Sequence, residues 1–323
     1  MLPVRPAWAP RRALRAGRAG LVIAGAIAAI AASPARADAA ACCGAGHGVG
    51  PLLTDAERAA VTFGIGGTFE LGSWTHRGAF HPMGEGDYRR ELRVELGWIV
   101  RFLRDGQLGV TVPFVAPFAR LGGESASGAA PGDVTVFGRY DVVRPRVMRW
   151  YPGVALTLST TLPTGRPERS ADFAAGRVAT GLGAGEVRPG FALEKRWIQG
   201  FYAFVSGSVG VRTRFHLASG PEVALAPRYQ VFAACGPFWE WGLSMSLGVL
   251  FEREPGPSID GRVAPATARG RTAGVFFAAY DLDAHWTAVA QARVDLPIRG
   301  AGANEPVAIA PILGIRRVFG ARE

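Results

Sequence analysis

The chain has 323 residues, of which 49% are apolar, with 36 Lys and Arg against 26 Asp and Glu. Arg5, Arg11, Arg12, Arg15, Arg18 and Arg36 precede the first acid, Asp38, so the formal charge falls from +10 for the chain to +4 for residues 38–323. Lys195 is the only Lys, and no basic run is interleaved with aromatics, which excludes the pattern of a nucleic-acid surface. Beyond residue 37 there is neither an apolar run of helix-spanning length nor sustained apolar spacing at three and four residues, which excludes a helical membrane protein.

In chain order, residues 1–37 read as a secretory signal peptide. The early arginines form a positive n-region, Leu21 to Ala32 an apolar h-region, and Ala35-Arg36-Ala37 a small-x-small cleavage site. Ala39, ahead of Cys42, does not match the Leu that a lipoprotein signal carries there. Residues 38–59 form a short periplasmic segment containing Cys42-Cys43 and His47.

From residue 60 onward apolar and small polar residues alternate in runs of ten or more, the spacing of strands with two unlike faces. Twelve strands are expected near 60–72, 87–103, 108–120, 132–144, 151–163, 183–197, 200–215, 222–235, 238–253, 271–281, 285–297 and 306–319. Ten or fourteen strands are the neighbouring counts these boundaries allow. The connections "RDGQ" at 104–107, "WIQG" at 197–200, "CGPF" at 235–238 and "DLDAH" at 281–285 are short. Long ones begin at Gly72, Gly122, Pro163 and Pro255; the turn around Arg144–Trp150, of medium length, and the short links near Ser219 and Gly300 break this rhythm. Alternating short periplasmic turns and long outer loops mark an all-β, antiparallel transmembrane barrel. The aromatics Trp150, Tyr151, Trp197, Phe201, Tyr202, Phe238, Trp239, Trp241, Tyr280 and Trp286 crowd the short turns, as an interfacial girdle would. Residues 60–319 thus form the barrel, and 320–323 a tail after Phe319.

The two faces sort by chemistry. Leu92, Val94, Leu96, Trp98, Val100 and Phe102 share one side of their strand, and Trp239, Trp241, Leu243, Met245, Leu247, Val249 and Phe251 one side of theirs. Charges fall on the other sides. An Arg facing lipid at the midplane costs about 2–4 kcal/mol, so the charged sides are assigned to the lumen: Arg93, Glu95, Arg139, Asp141, Arg188, Glu194, Arg212, Arg214, Arg293 and Asp295. These ten either line a polar, anion-favouring path or pair with one another and fill a narrow barrel.

At residues 131–215 the stretches "PGDVTVFGRYDVV", "PGVALTLSTTLPTG", "GLGAGEVRPGFALEKRW" and "FYAFVSGSVGVR" resemble the transporter-like outer-membrane proteins of the MetA-pathway phenol-degradation family. The matching positions are Gly132, Asp133, Gly138 and Tyr140, Leu162-Pro163-Thr164-Gly165, and the glycines around 181–185. The resemblance implies a barrel that passes small, often aromatic or hydrophobic, molecules. It covers about a third of the chain after residue 37, and the Cys-Cys segment is not part of it.

Three cysteine readings stay open. Cys42 or Cys43 pairs with Cys235 and pins the segment at the barrel mouth; the adjacent cysteines are inert or paired with each other; or Cys42, Cys43 and His47 bind a metal for which a fourth ligand is missing. His76, His81 and His216 fall near the outer rim, where solvation is the default for loop histidines. No cofactor is expected. The functional expectation is passive passage of small solutes across the outer membrane, with the lipid bilayer, the barrel-assembly machinery and the solute as partners. A non-conducting structural or adhesion barrel is the alternative. An outer-membrane hydrolase would need a nucleophile, a His and an orienting group together, and neither His216 nor His285 shows such partners in sequence.

Overall fold

The computed structural model describes residues 52–54, 56–146, 150–166, 179–181, 183–216 and 222–320. Twelve long strands carry the architecture: β1 Ala59–Trp74, β2 Tyr88–Leu103, β3 Gly106–Leu121, β4 Val134–Val143, β5 Gly153–Leu162, β6 Glu186–Trp197, β7 Phe201–Arg212, β8 Arg228–Pro237, β9 Leu243–Glu254, β10 Arg269–Asp281, β11 Trp286–Asp295 and β12 Pro306–Phe319. Each pairs antiparallel with its sequence neighbours, and β1 closes on β12 from Ala59↔Phe319 to Ser73↔Pro306. A closed ring leaves no strand edge with unpaired backbone groups, the condition for crossing a bilayer with strands.

The alternation read from sequence is the alternation of faces. In β9, Leu247, Val249 and Phe251 are exposed outward, whereas Ser244, Ser246, Leu250 and Glu252 are buried inward. In β5, Leu156 and Leu158 face outward, and Ala155 and Ser159 face inward. Short connections, such as Arg104-Asp105 and the Ile198–Gly200 turn, lie at the end shared by both barrel termini. The turn glycines Gly200 (φ 74°) and Gly242 (φ 95°) adopt the left-handed backbone that these reversals demand. The opposite end carries the long loops, and these add strands of their own: Phe80–Pro82 on β1, Glu124–Ser127 and Ala130–Pro131 on β3, and Gly302–Ala303 on β10. Phe215–His216, Glu222–Ala224, Ser258–Ile259 and Arg262–Val263 form a separate four-stranded sheet.

Three boundaries differ from the sequence reading. The eighth strand, expected at 222–235, begins at Arg228; residues 222–224 belong to the loop sheet, because Pro227 has no N–H to continue a ladder. The following turn is Phe238–Gly242 rather than 235–238, so Cys235 lies within β8, exposed on its outward face between Ala203 and Leu247. Trp239 and Trp241 accordingly belong to the turn and not to β9. With β7 ending at Arg212 and β11 at Asp295, the connections near Ser219 and Gly300 are long, which removes those two exceptions, while the connection at 144–152 is of medium length.

The girdle holds at the short-turn end. Trp239 stacks obliquely on Trp241 at 5.8 Å, and Trp241 meets Tyr280 at 6.0 Å. Tyr202 is an exception: it points into the barrel, buried beside Phe238. Cys42, Cys43 and His47 lie outside the described residues.

Candidate functional site

The lumen has three levels. At the outer level, β6 to β10 carry a connected ion-pair system. Arg188 Nη1 donates to Gln230 at 2.8 Å, and its Nε donates to Glu186 at 2.8 Å. Arg212 reaches Glu254 at 2.7 Å and Glu186 at 3.6 Å, and Arg228 shares Glu254 at 3.3 Å. Arg271 bridges Glu252 at 3.2 Å and Glu305 at 2.7 Å. Arg293 lies 3.4 Å from Asp295, whose other oxygen accepts the Ala308 N–H. Buried charges survive only when paired in this way.

The opposite wall is less buried. Arg93 sits between Glu91 at 3.1 Å and Glu95 at 3.3 Å, with its side chain 28% exposed, against 2% for Arg212. Inward positions beside it on β1 are small: Thr62, Gly64, Gly66 and Thr68. A side chain at Gly97 of β2 would strike Thr62. Arg93 is thus less buried than the arginines of the other wall, and the residues facing it from β1 are small.

The middle level is apolar. Phe204 of β7 and Phe232 of β8 meet at 6.0 Å, and Leu250, Ala273 and Val275 complete a buried cluster with Ala155, Ala192 and Ala234. Below it, Arg139 is held by Asp141 at 2.7 Å and Glu194 at 3.5 Å, and Glu194 also accepts from Arg196 at 2.8 Å.

The third level is the short-turn mouth, occupied by the chain's own residues 52–54, 56 and 57. Leu53 packs with Ala60, Ile99, Phe137 and Val318, and Leu52 packs against the Phe204–Phe232 cluster. The Gln107 amide pairs with the backbone of Leu53 in both directions, accepting its N–H at 2.9 Å and donating to its carbonyl at 3.1 Å. Arg101 donates to the Thr54 carbonyl at 2.7 Å and the Glu57 carbonyl at 3.1 Å. Glu57, wholly buried, accepts from Arg316 at 2.6 Å, and Arg316 also donates to the Leu52 carbonyl at 3.0 Å. Locally the Thr54 N–H bonds to the Glu57 carboxylate, and the Glu57 N–H bonds to the Thr54 carbonyl. These two bonds close a turn between Thr54 and Glu57.

Nine of the ten lumen candidates, Arg93, Glu95, Arg139, Asp141, Arg188, Glu194, Arg212, Arg293 and Asp295, point inward. Arg214 does not: it lies beyond the end of β7, 74% exposed, on Glu222 at 3.1 Å. Sequence reasoning missed Glu57, Gln107, Arg316, Glu186, Glu252 and Glu254, and the inward aromatics Phe137, Phe204 and Phe232. Strand parity would have found the aromatics and Arg316, since Arg316 shares a face with Gly314 and Val318, while Arg317 turns outward onto Trp286 at 5.3 Å. His76, His81 and His285 are solvent-exposed. Among the described residues, no group of three or more His, Cys, Asp or Glu side chains is arranged to hold a metal.

No family model and no curated protein matches the sequence. Among solved structures, an outer membrane channel from Pseudomonas putida F1 superposes with a TM-score of 0.64 at 16% identity, over 85% of this chain and 98% of that one. The chain has the fold of an outer-membrane β-barrel. The β domain of the Bordetella autotransporter BrkA superposes with a TM-score of 0.48 at 11% identity, over 81% of this chain and all of that domain. The likeness to the channel agrees with the barrel that the resemblance at residues 131–215 implies.

Proposed function

We propose that the protein passes small hydrophobic or aromatic solutes across the outer membrane without covalent chemistry. The observation that carries this reading is the apolar cluster around Phe204, Phe232 and Leu250 inside the barrel, with the less buried Arg93 on the facing wall. An apolar solute gains about 25 cal/mol for each Å² it buries there. A hydrated ion gains nothing at that level and must shed water to enter it. Residues 1–37 would export the chain and be removed. Passage then needs the Leu52–Glu57 segment to leave the mouth.

The test is flux into proteoliposomes whose outer leaflet is lipopolysaccharide, which slows direct permeation of apolar molecules. A neutral phenol-sized aromatic should enter faster than in protein-free vesicles, and a sugar alcohol of similar volume should not. Equal flux of both would point to a general porin.

A second reading, a non-conducting structural or adhesion barrel, is favoured by the closed mouth and by the separate sheet built from the outer loops. It predicts no flux of either solute.

A further inference from the structure

We propose that Tyr88, Arg90, Arg120 and Ser125 form a binding site for the phosphorylated sugar headgroup of an outer-leaflet glycolipid. The outward faces of β2 and β3 are apolar from the short-turn end up to Leu92 and Phe118. Each then ends in an exposed Arg, Arg90 and Arg120. Register places Arg120 directly opposite Tyr88 on one side and Ser125 on the other, and Arg90 opposite Phe118. The two arginines are therefore diagonal neighbours, about 7–8 Å apart at their backbones, within reach of one phosphate. Arg90 rests over the Tyr88 ring at 5.0 Å, which fixes its guanidinium at the edge of the apolar band.

The charge balance on this face is one-sided. Among the described residues, neither Arg90 nor Arg120 has a carboxylate partner, whereas the inward arginines Arg139, Arg188, Arg212, Arg228, Arg271 and Arg293 all do. Of the acids in the hairpin, Asp87 accepts the Gly122 N–H at 2.9 Å, Glu91 turns inward onto Arg93 at 3.1 Å, and Glu124 sits opposite Leu121 on the other parity. A planar guanidinium matches phosphate oxygens with two parallel hydrogen bonds, and at the membrane edge the anion is only partly hydrated. The margin in question is the long-loop, extracellular one, where the leaflet is built from phosphorylated glycolipid. Arg253 above Phe251 repeats the placement on β9, opposite Tyr229. The inference rests on the barrel's orientation and not on the solute it passes.

The experiment uses the refolded full chain in detergent, with native mass spectrometry to read retention of diphosphoryl lipid A, its dephosphorylated form and phosphatidylglycerol. Diphosphoryl lipid A should be retained by the wild type, while the other two should be lost. The double variant Arg90→Gln/Arg120→Gln should weaken retention about twenty-five-fold, taking about five-fold for each cation at an anionic surface. Arg317→Gln, at the periplasmic margin, should leave it unchanged. Heat-modifiable migration on gels establishes that each variant is folded; if the double variant does not fold, Arg120→Gln alone should lose about five-fold. Undiminished retention by the folded variants would overturn the proposal. So would equal retention of the dephosphorylated lipid or of phosphatidylglycerol.

Discussion

Glu57→Gln should unlatch the segment that closes the mouth. The wild-type carboxylate has no solvent exposure, and its Arg316 partner, 5% exposed, lies at 2.6 Å. Removing one member of a buried pair costs about 3–5 kcal/mol, because the remaining charge loses its counterion. The lower end applies here, since a Gln oxygen still accepts a hydrogen bond and the Leu52 carbonyl still holds Arg316. About 3 kcal/mol multiplies the open population of the segment by about 150. The barrel ladders do not depend on this pair, so the loss is local. Hydrogen exchange read by mass spectrometry should show protection of the Leu53 and Glu57 amides falling by about two orders of magnitude, with β7 to β10 unchanged. Adding Arg316→Met, which removes the stranded charge, should restore part of the protection. Unchanged exchange at Leu53, or equal loss across the whole barrel, would refute the reasoning.

Arg212→Ser removes the cation that Glu186 and Glu254 share, leaving Glu186 to Arg188 and Glu254 to Arg228, so it should lower the urea midpoint of the refolded barrel and move the reversal potential toward cation preference. Unchanged stability would mean that the network is solvated. Phe204→Ala should cost about 3–5 kcal/mol if the middle level is a dry core; a loss under about 1 kcal/mol in denaturant titration would show a water-filled lumen there. Leu247→Arg places a charge on the lipid face at a side chain 69% exposed in the isolated chain, and should cost about 2–4 kcal/mol in lipid while Ser246→Arg on the same strand does not follow that depth rule. Equal costs would undo the assignment of faces.

The strand count and both faces were legible because a barrel strand repeats every two residues over ten or more positions, and lipid tolerates no exceptions on one side. Arg317 illustrates the limit: next to Arg316, it is indistinguishable by composition, and only parity sends one to Glu57 and the other onto Trp286. Boundaries failed where a local rule was overlooked, at Pro227 and at the left-handed Gly242. Arg214 kept the lumen parity of Arg212 but lies past the last ladder bond of its strand, where parity loses meaning. The mouth segment left no trace in periodicity. Leu53 meets Gln107 and Glu57 meets Arg316 across 54 and 259 residues, and such contacts follow only from closure of the ring. The outer ion pairs were half visible: their arginines stood out against apolar strands, whereas Glu254 fell just past the strand expected at 238–253, and Glu186 and Glu252 were passed over although parity puts them on the lumen faces of their expected strands.

The most direct test of a barrel stoppered by its own N-terminal segment is planar-bilayer conductance under a salt gradient, wild type against Glu57→Gln. The account predicts a wild type that is mostly closed with brief, small steps, and a variant with the same step size but a much larger open fraction. Large, steady openings in the wild type, or identical traces from the two proteins, would contradict it.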